Sequence, residues 1–182
     1  MPLLHKAMSA LLVASAVAIA GCGGDDSADD SSSRPSLGNE MDRAFVTEAL
    51  PVHEKSVAIA NIAQRSGQSG FVRQLASDIF RNQGQQIGTM RRIGTGLSAD
   101  GVEVGKTGVP APDTAAANPA TLAATKPFDP AFLRAMIPLH EATIAMAKVE
   151  LDKGQQSDLK VVARQMVDTE SSELAAMRNR LK

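Results

Sequence analysis

Asp129-Pro130-Ala131-Phe132-Leu133-Arg134-Ala135-Met136-Ile137-Pro138-Leu139-His140-Glu141 repeats, without a gap, the pattern of Asp42-Arg43-Ala44-Phe45-Val46-Thr47-Glu48-Ala49-Leu50-Pro51-Val52-His53-Glu54. The same shift lays Ala58 on Ala145, Ala60 on Ala147, Gly67 on Gly154, Gln68 on Gln155, Ala76 on Ala163, Met90 on Met177 and Arg91 on Arg178. Self-similarity at one fixed offset marks a tandem duplication. Two copies of one unit can face each other about a pseudo-twofold axis, which presents the paired residues twice.

Each copy reads as a helix hairpin. Val46, Ala49, Leu50, His53, Val57 and Ala60 recur at three- and four-residue spacing, as do Leu133, Met136, Ile137, His140, Ile144, Ala147 and Leu151. The second segment of each copy does the same, through Val72, Leu75, Ala76, Ile79, Gln83, Ile87 and Met90, and through Leu159, Val162, Ala163, Met166, Glu170, Leu174, Met177 and Leu181. Gly67 and Gly154 punctuate the two copies where a tight helix–helix turn is needed, and Asp129 followed by Pro130 predicts an N-cap with proline in the first turn. Pro51 and Pro138 fall inside their helices, freeing the carbonyls of Thr47 and Arg134 two residues before each histidine is reached. The expected fold is all-α: a ferritin-like four-helix bundle of two tandem hairpins over residues 41–182, with repeat 1 at 42–91, repeat 2 at 129–178 and a long crossover loop at 92–128. The Gly-, Ala-, Thr- and Pro-rich crossover has no sustained period. A short helix near Ala115 to Ala124 and a mobile surface loop both fit it.

The region before the repeat points to the compartment. Lys6 followed by the apolar run Ala7 to Ala20 and then Ile19-Ala20-Gly21-Cys22 resembles a bacterial lipoprotein signal with its lipobox, and the run is too short for a comfortable membrane span. Residues 1–21 are expected to be the signal peptide, and Cys22 the lipidated first residue that anchors the protein to a membrane. Residues 22–40, rich in Gly, Ser and Asp, form a flexible tether. Glycine rather than aspartate at position 23 implies the outer membrane, facing the periplasm.

Composition narrows the chemistry. Cys22 is the only cysteine, so the domain has no disulfide and any metal must be held by His, Met, Asp, Glu or Gln. A net charge of −1, no Trp or Tyr and 3% aromatic content give no case for nucleic acid. There is no Ser-His-Asp set, phosphate-binding Gly-rich loop or paired-Cys motif, and the Glu-x-x-His pairs of a di-iron centre are missing, so an enzyme is not expected.

What remains is a polar group set inside apolar stripes. If the hairpins pack stripes inward, His53, His140, Gln83 and Glu170 reach one interior layer, where a buried carboxylate needs a cation, a proton or a donor. Imidazole nitrogens suit copper or, less well, zinc. Met136, one turn before His140, and Met166, one turn before Glu170, add thioethers of the kind Cu(I) favours. Glu54, Glu141 and Glu173, with Gln83, are candidates for supporting hydrogen bonds. The same residues also fit a metal-free polar network that fixes helix register in a structural or protein-interaction lipoprotein.

The stretch from Asp129 to His140, continued through Ala145-Met146-Ala147-Lys148, and the later Ala163 to Arg178 with Glu170, Glu173 and Met177, resemble the family catalogued as domain of unknown function 305. The resemblance covers nearly all of the chain from Asp42 onward and is stronger in the second repeat. It implies a ferritin-like helical bundle, export, and a link to periplasmic copper handling. That family usually carries adjacent histidines after the proline, whereas here Leu139-His140 and Val52-His53 supply one each. Gln83 and Gln86 stand where the second repeat has Glu170 and Glu173, so one shared, asymmetric site is expected rather than two equal ones.

Overall fold

The computed structural model describes residues 38–182; the signal segment, Cys22 and all but the end of the tether lie outside them. Among the described residues five α-helices follow one another: α1 (Glu40–Ser66), α2 (Gly70–Ala99), a short α3 (Pro119–Ala124), α4 (Phe128–Lys153) and α5 (Ser157–Arg180). α1 pairs with α2 and α4 with α5 as antiparallel hairpins, and the hairpins join chiefly through α1 against α4, while α2 and α5 touch little. Both prolines lie within continuous helices. Among the described residues no helix is long and apolar enough to cross a membrane.

The core follows the repeat. Phe45 and its counterpart Phe132 are fully buried, as are Ile59, Ile79, Met90, Leu133, Met136, Leu139, Met166 and Met177. The buried face of α1 is broader than the apolar stripe alone predicts. Ser56 and Val52 join it while Val57 is only half-buried, and α4 buries Thr143 at the position matching Ser56. The crossover packs rather than floats. Glu48 on α1 accepts from the backbone N–H of Thr107 at 3.2 Å and from its hydroxyl, Gly105 N–H donates to the carbonyl of Glu40 at 3.0 Å, and Ala117 and Leu122 enter the core. The segment Ala115–Ala117 forms a 3-10 turn that leads into α3.

Asp129 does not cap its own helix. α4 starts at Phe128 with Pro127 in the cap position, two residues earlier than an Asp129 cap requires. Instead the Asp129 carboxylate reaches across to the turn of the other repeat, accepting from the N–H groups of Gln68 at 2.7 Å and Ser69 at 2.8 Å. Asp42 does the same in reverse, accepting from Gln155 at 3.0 Å and Gln156 at 2.9 Å, while also closing a capping box with Asn39. Each repeat therefore satisfies two N–H groups of the turn that leads into the second helix of the other. Gly67 and Gly154 have ordinary φ angles of −61° and −67°, so space and not backbone conformation selects them. A Cβ on Gly67 would sit 2.7 Å from the Ala63 carbonyl, and one on Gly154 would collide with the Glu150 carboxyl group.

The second device differs in one respect. At the position matching Ala63, repeat 2 carries Glu150, fully buried beside Asp42 and with no donor to either oxygen when ionised. Burial first, and then the hydrogen bond to Asp42 and the repulsion between the two carboxyls, push its pKa up to about 8, so at neutral pH Glu150 is protonated and donates to Asp42. Asp129 shifts the other way. Burial alone would raise it, but hydrogen bonds from Ser69 and Gln68, with Arg73 nearby, hold it below the ordinary 3.8.

Two outcomes follow from these groups. Asp129→Ala orphans two N–H groups and should cost about 1–3 kcal/mol in chemical denaturation at neutral pH. The difference should vanish as pH falls through the lowered Asp129 pKa, because a depressed carboxylate stabilises only where it is ionised. Glu150, with its pKa raised on folding, stabilises most in acid, and its contribution is lost as pH rises from 4.5 to about 8. Relative to Glu150→Gln, the parent protein should therefore lose stability across that interval, at roughly 1.4 kcal/mol per unit of pKa difference; parallel pH profiles would refute the carboxyl pair.

Candidate functional site

The two histidines lie on the buried faces of α1 and α4, three and four residues from the apolar positions that bury those helices. His53 and His140 are both fully buried. Nε2 of His53 lies 2.9 Å from Oε1 of Gln86, an oxygen that only accepts, so Nε2 carries the proton. The same Nε2 is 3.3 Å from Oε1 of Glu170. Nε2 of His140 stands in the matching relation to Glu173, 2.9 Å from its Oε2. Burial lowers the pKa of His53 more than the nearby Glu170 raises it, with His140 adding to the lowering, so the His53 imidazole is neutral.

Glu170, the buried carboxylate of the layer, is met by donors. The Thr143 hydroxyl donates to its Oε2, Nε2 of Gln83 approaches its Oε1 at 3.4 Å, and the His53 N–H faces the same oxygen. Of the three ways to satisfy a buried carboxylate, a cation, a proton or a donor, Glu170 is answered by donors within the protein. What remains unanswered is a set of acceptors: Nδ1 of His53, Nδ1 of His140 and Oε1 of Gln83 are buried and receive no hydrogen bond. Met136 and Met166 are fully buried in the same helices, one turn before His140 and Glu170. Among the described residues, no three or more His, Cys, Asp or Glu side chains converge to hold a metal ion.

Two of the expected supporting residues lie elsewhere. Glu54 and Glu141 point to solvent and pair with Arg91 (2.7 Å) and with Arg178. They sit beside the histidines in sequence, but a helix turns neighbouring residues by about a hundred degrees, which puts them on the outer face. Glu173 does support His140, and Gln83 does join Glu170. The residues underrated from sequence are Gln86 and the pair Ser56 and Thr143. Their signal was present, since Gln86 stands to His53 as Glu173 stands to His140, and a small hydroxyl recurs three residues after each histidine. The hydroxyls have diverged in use, as Ser56 donates to its own helix at the Val52 carbonyl.

The sequence profile described as domain of unknown function DUF4142 matches residues 27–179. The chain belongs to that family. Its resemblance to family 305 holds at the level of structure. A DUF305 fragment from Deinococcus radiodurans is 27% identical with a TM-score of 0.59, covering 78% of this chain and 95% of that one. CopM in its Cu(I)-bound form is 21% identical with a TM-score of 0.62 (76% of this chain, 93% of that one), and its Cu(II)-bound form is 21% identical with a TM-score of 0.64 (77% and 96%). These likenesses establish the helical-bundle fold. No curated protein matches the chain.

The Glu170 network makes a sharp expectation. Thr143→Val keeps shape and volume but removes a donor from a buried carboxylate, and should cost about 1–3 kcal/mol or more. Ser56→Ala, at the matching position of the other repeat, deletes a hydroxyl that serves only a helix carbonyl and should cost clearly less. Equal losses in denaturant titrations would show that Thr143 is not carrying Glu170.

Proposed function

We propose that the protein binds or buffers a transition metal in the cell envelope, copper before zinc, through Nδ1 of His53 and of His140 with thioether help from Met136 and Met166. The observation that carries this reading is the state of the two imidazoles: each has Nε2 held by an acceptor and leaves a buried Nδ1 with no partner. A metal-ligating histidine has that arrangement, with one nitrogen oriented by a hydrogen bond to a carboxylate or carbonyl and the other free for the metal. The neutral form of His53 is the ligating form. Two imidazoles and two thioethers, without a thiolate or a free carboxylate, suit a soft ion better than a hard one. That CopM, a protein of this fold, has Cu(I)- and Cu(II)-bound forms supports copper as the first ion to try.

The role is binding rather than catalysis. A lipid on Cys22 would hold the bundle at a membrane, in the outer membrane facing the periplasm, with the tether giving it reach. A second reading, a metal-free interaction or structural lipoprotein, is favoured by one observation: Glu170 already has its donors.

Titration with Cu(I), Cu(II) and Zn(II) separates the two. The metal reading expects Cu(I) to bind most tightly, and expects binding to be lost in the His53→Ala/His140→Ala double variant. Absence of binding by the parent, or binding that the double variant leaves unchanged, would leave the polar-network reading in place.

A further inference from the structure

Both imidazoles are sealed from solvent, so any reagent or ion that reaches them needs a route. The bundle is closed unevenly: α1 and α4 pack against each other, whereas α2 and α5 touch little. Between α2 and α5 lies a cleft of about 460 Å³ lined by Asn82, Gln85, Gln86, Thr89, Val162, Gln165 and Thr169. Asn82 and Thr169, one from each repeat, occupy matching positions and both line the cleft. Buried Gln86 lines the cleft and also holds Nε2 of His53, which makes its amide the partition between cleft and imidazole. Glu173, the matching residue that holds His140, does not line it.

Charge distinguishes this cleft from two others. A groove of about 570 Å³ along the crossover has Lys55 and Lys106 against one carboxylate, Glu48, among its lining residues, and one of about 720 Å³ has Arg43 and Arg91, so both carry a net positive lining. Cationic groups at the mouth repel an approaching cation, whereas the cleft between α2 and α5 presents amides and hydroxyls with no formal charge. Those groups can exchange hydrogen bonds with a hydrated ion.

We propose that the uncharged cleft between α2 and α5 is the port by which His53 is reached from solvent, with the Gln86 amide as its gate. Only the identity of the entering species, a metal cation, rests on the metal-binding reading above; the port itself does not. Opening requires the Gln86 side chain to swing away from His53, a local motion at the least firmly packed seam of the bundle.

The test follows acylation of each histidine in the purified full chain by diethyl pyrocarbonate, with peptide mass mapping over time. His53 should be modified faster than His140. Asn82→Leu/Thr169→Leu, which fills the cleft with apolar bulk, should slow His53 on the order of tenfold and leave His140 unchanged. Thr89→Leu is a milder plug with the same expected direction, and Gln86→Ala should speed His53 relative to His140. Equal rates at the two histidines, or plugged variants that match the parent, would overturn the port. In parallel, Cu(I) loading should be slower in the plugged variants at unchanged final stoichiometry. If the acylation pattern appears but the parent takes up no Cu(I), the port stands and the metal reading falls. If Cu(I) binds and plugging changes neither rate, the metal reading stands and the port falls.

Discussion

The exchange of aspartates between the two repeats is the constraint on which the arrangement of the bundle depends. Asp42 and Asp129 each leave their own helix start to satisfy N–H groups at the turn of the other hairpin. A helix N-terminus concentrates partial positive charge and unpaired donors, so each carboxylate finds there both an electrostatic and a hydrogen-bonding partner. Two such contacts at opposite ends fix the sliding and rotation of one hairpin against the other. With that register set, α1 lies against α4, Phe45 and Phe132 are fully buried in the core, and the polar residues of both repeats meet around Glu170.

The two halves then divide their labour. In the interior layer the second repeat supplies the carboxylates, Glu170 and Glu173, and the first supplies amides, Gln83 and Gln86. A glutamate at position 83 would place two carboxylates in a buried layer with too few donors, and one of them would have to be neutral. The amide removes that conflict and donates to Glu170 instead. The capping devices show the same logic with the opposite outcome. Repeat 2 adds Glu150 beside Asp42, and a proton shared between the two carboxyls resolves the repulsion. The matching positions of the two halves share a geometry, and the differences at a few of them give each half a separate set of charged groups.

The histidine pair sits between these two influences. Its Nε2 atoms are held by residues that differ between the repeats, Gln86 on one side and Glu173 on the other, while both Nδ1 atoms remain without partners. His53 is held by the Gln86 amide and also faces the Glu170 carboxylate, whereas His140 is held by Glu173. Of these holding residues, Gln86 is the one that lines the uncharged cleft.

Much of this was legible in the chain itself. The gap-free repeat, the three- and four-residue apolar spacing and the turn glycines at 67 and 154 determine two helix hairpins, because local periodicity and steric punctuation act over short stretches. They also place His53, His140, Gln83 and Glu170 on buried faces. Sequence adjacency misled at Glu54 and Glu141, which helical rotation carries to the outer face and into pairs with Arg91 and Arg178. It misled at Asp129 too, which looks like a cap for the helix it opens. Which donor answers which acceptor was settled only by tertiary packing. Thr143 meets Glu170 and Gln86 meets His53, Asp129 crosses to Gln68 and Ser69, and Glu150 lies against Asp42. Hydrogen bonds reach only about 3 Å, so partners distant in the chain are selected by how the hairpins are docked, and no local pattern encodes that distance.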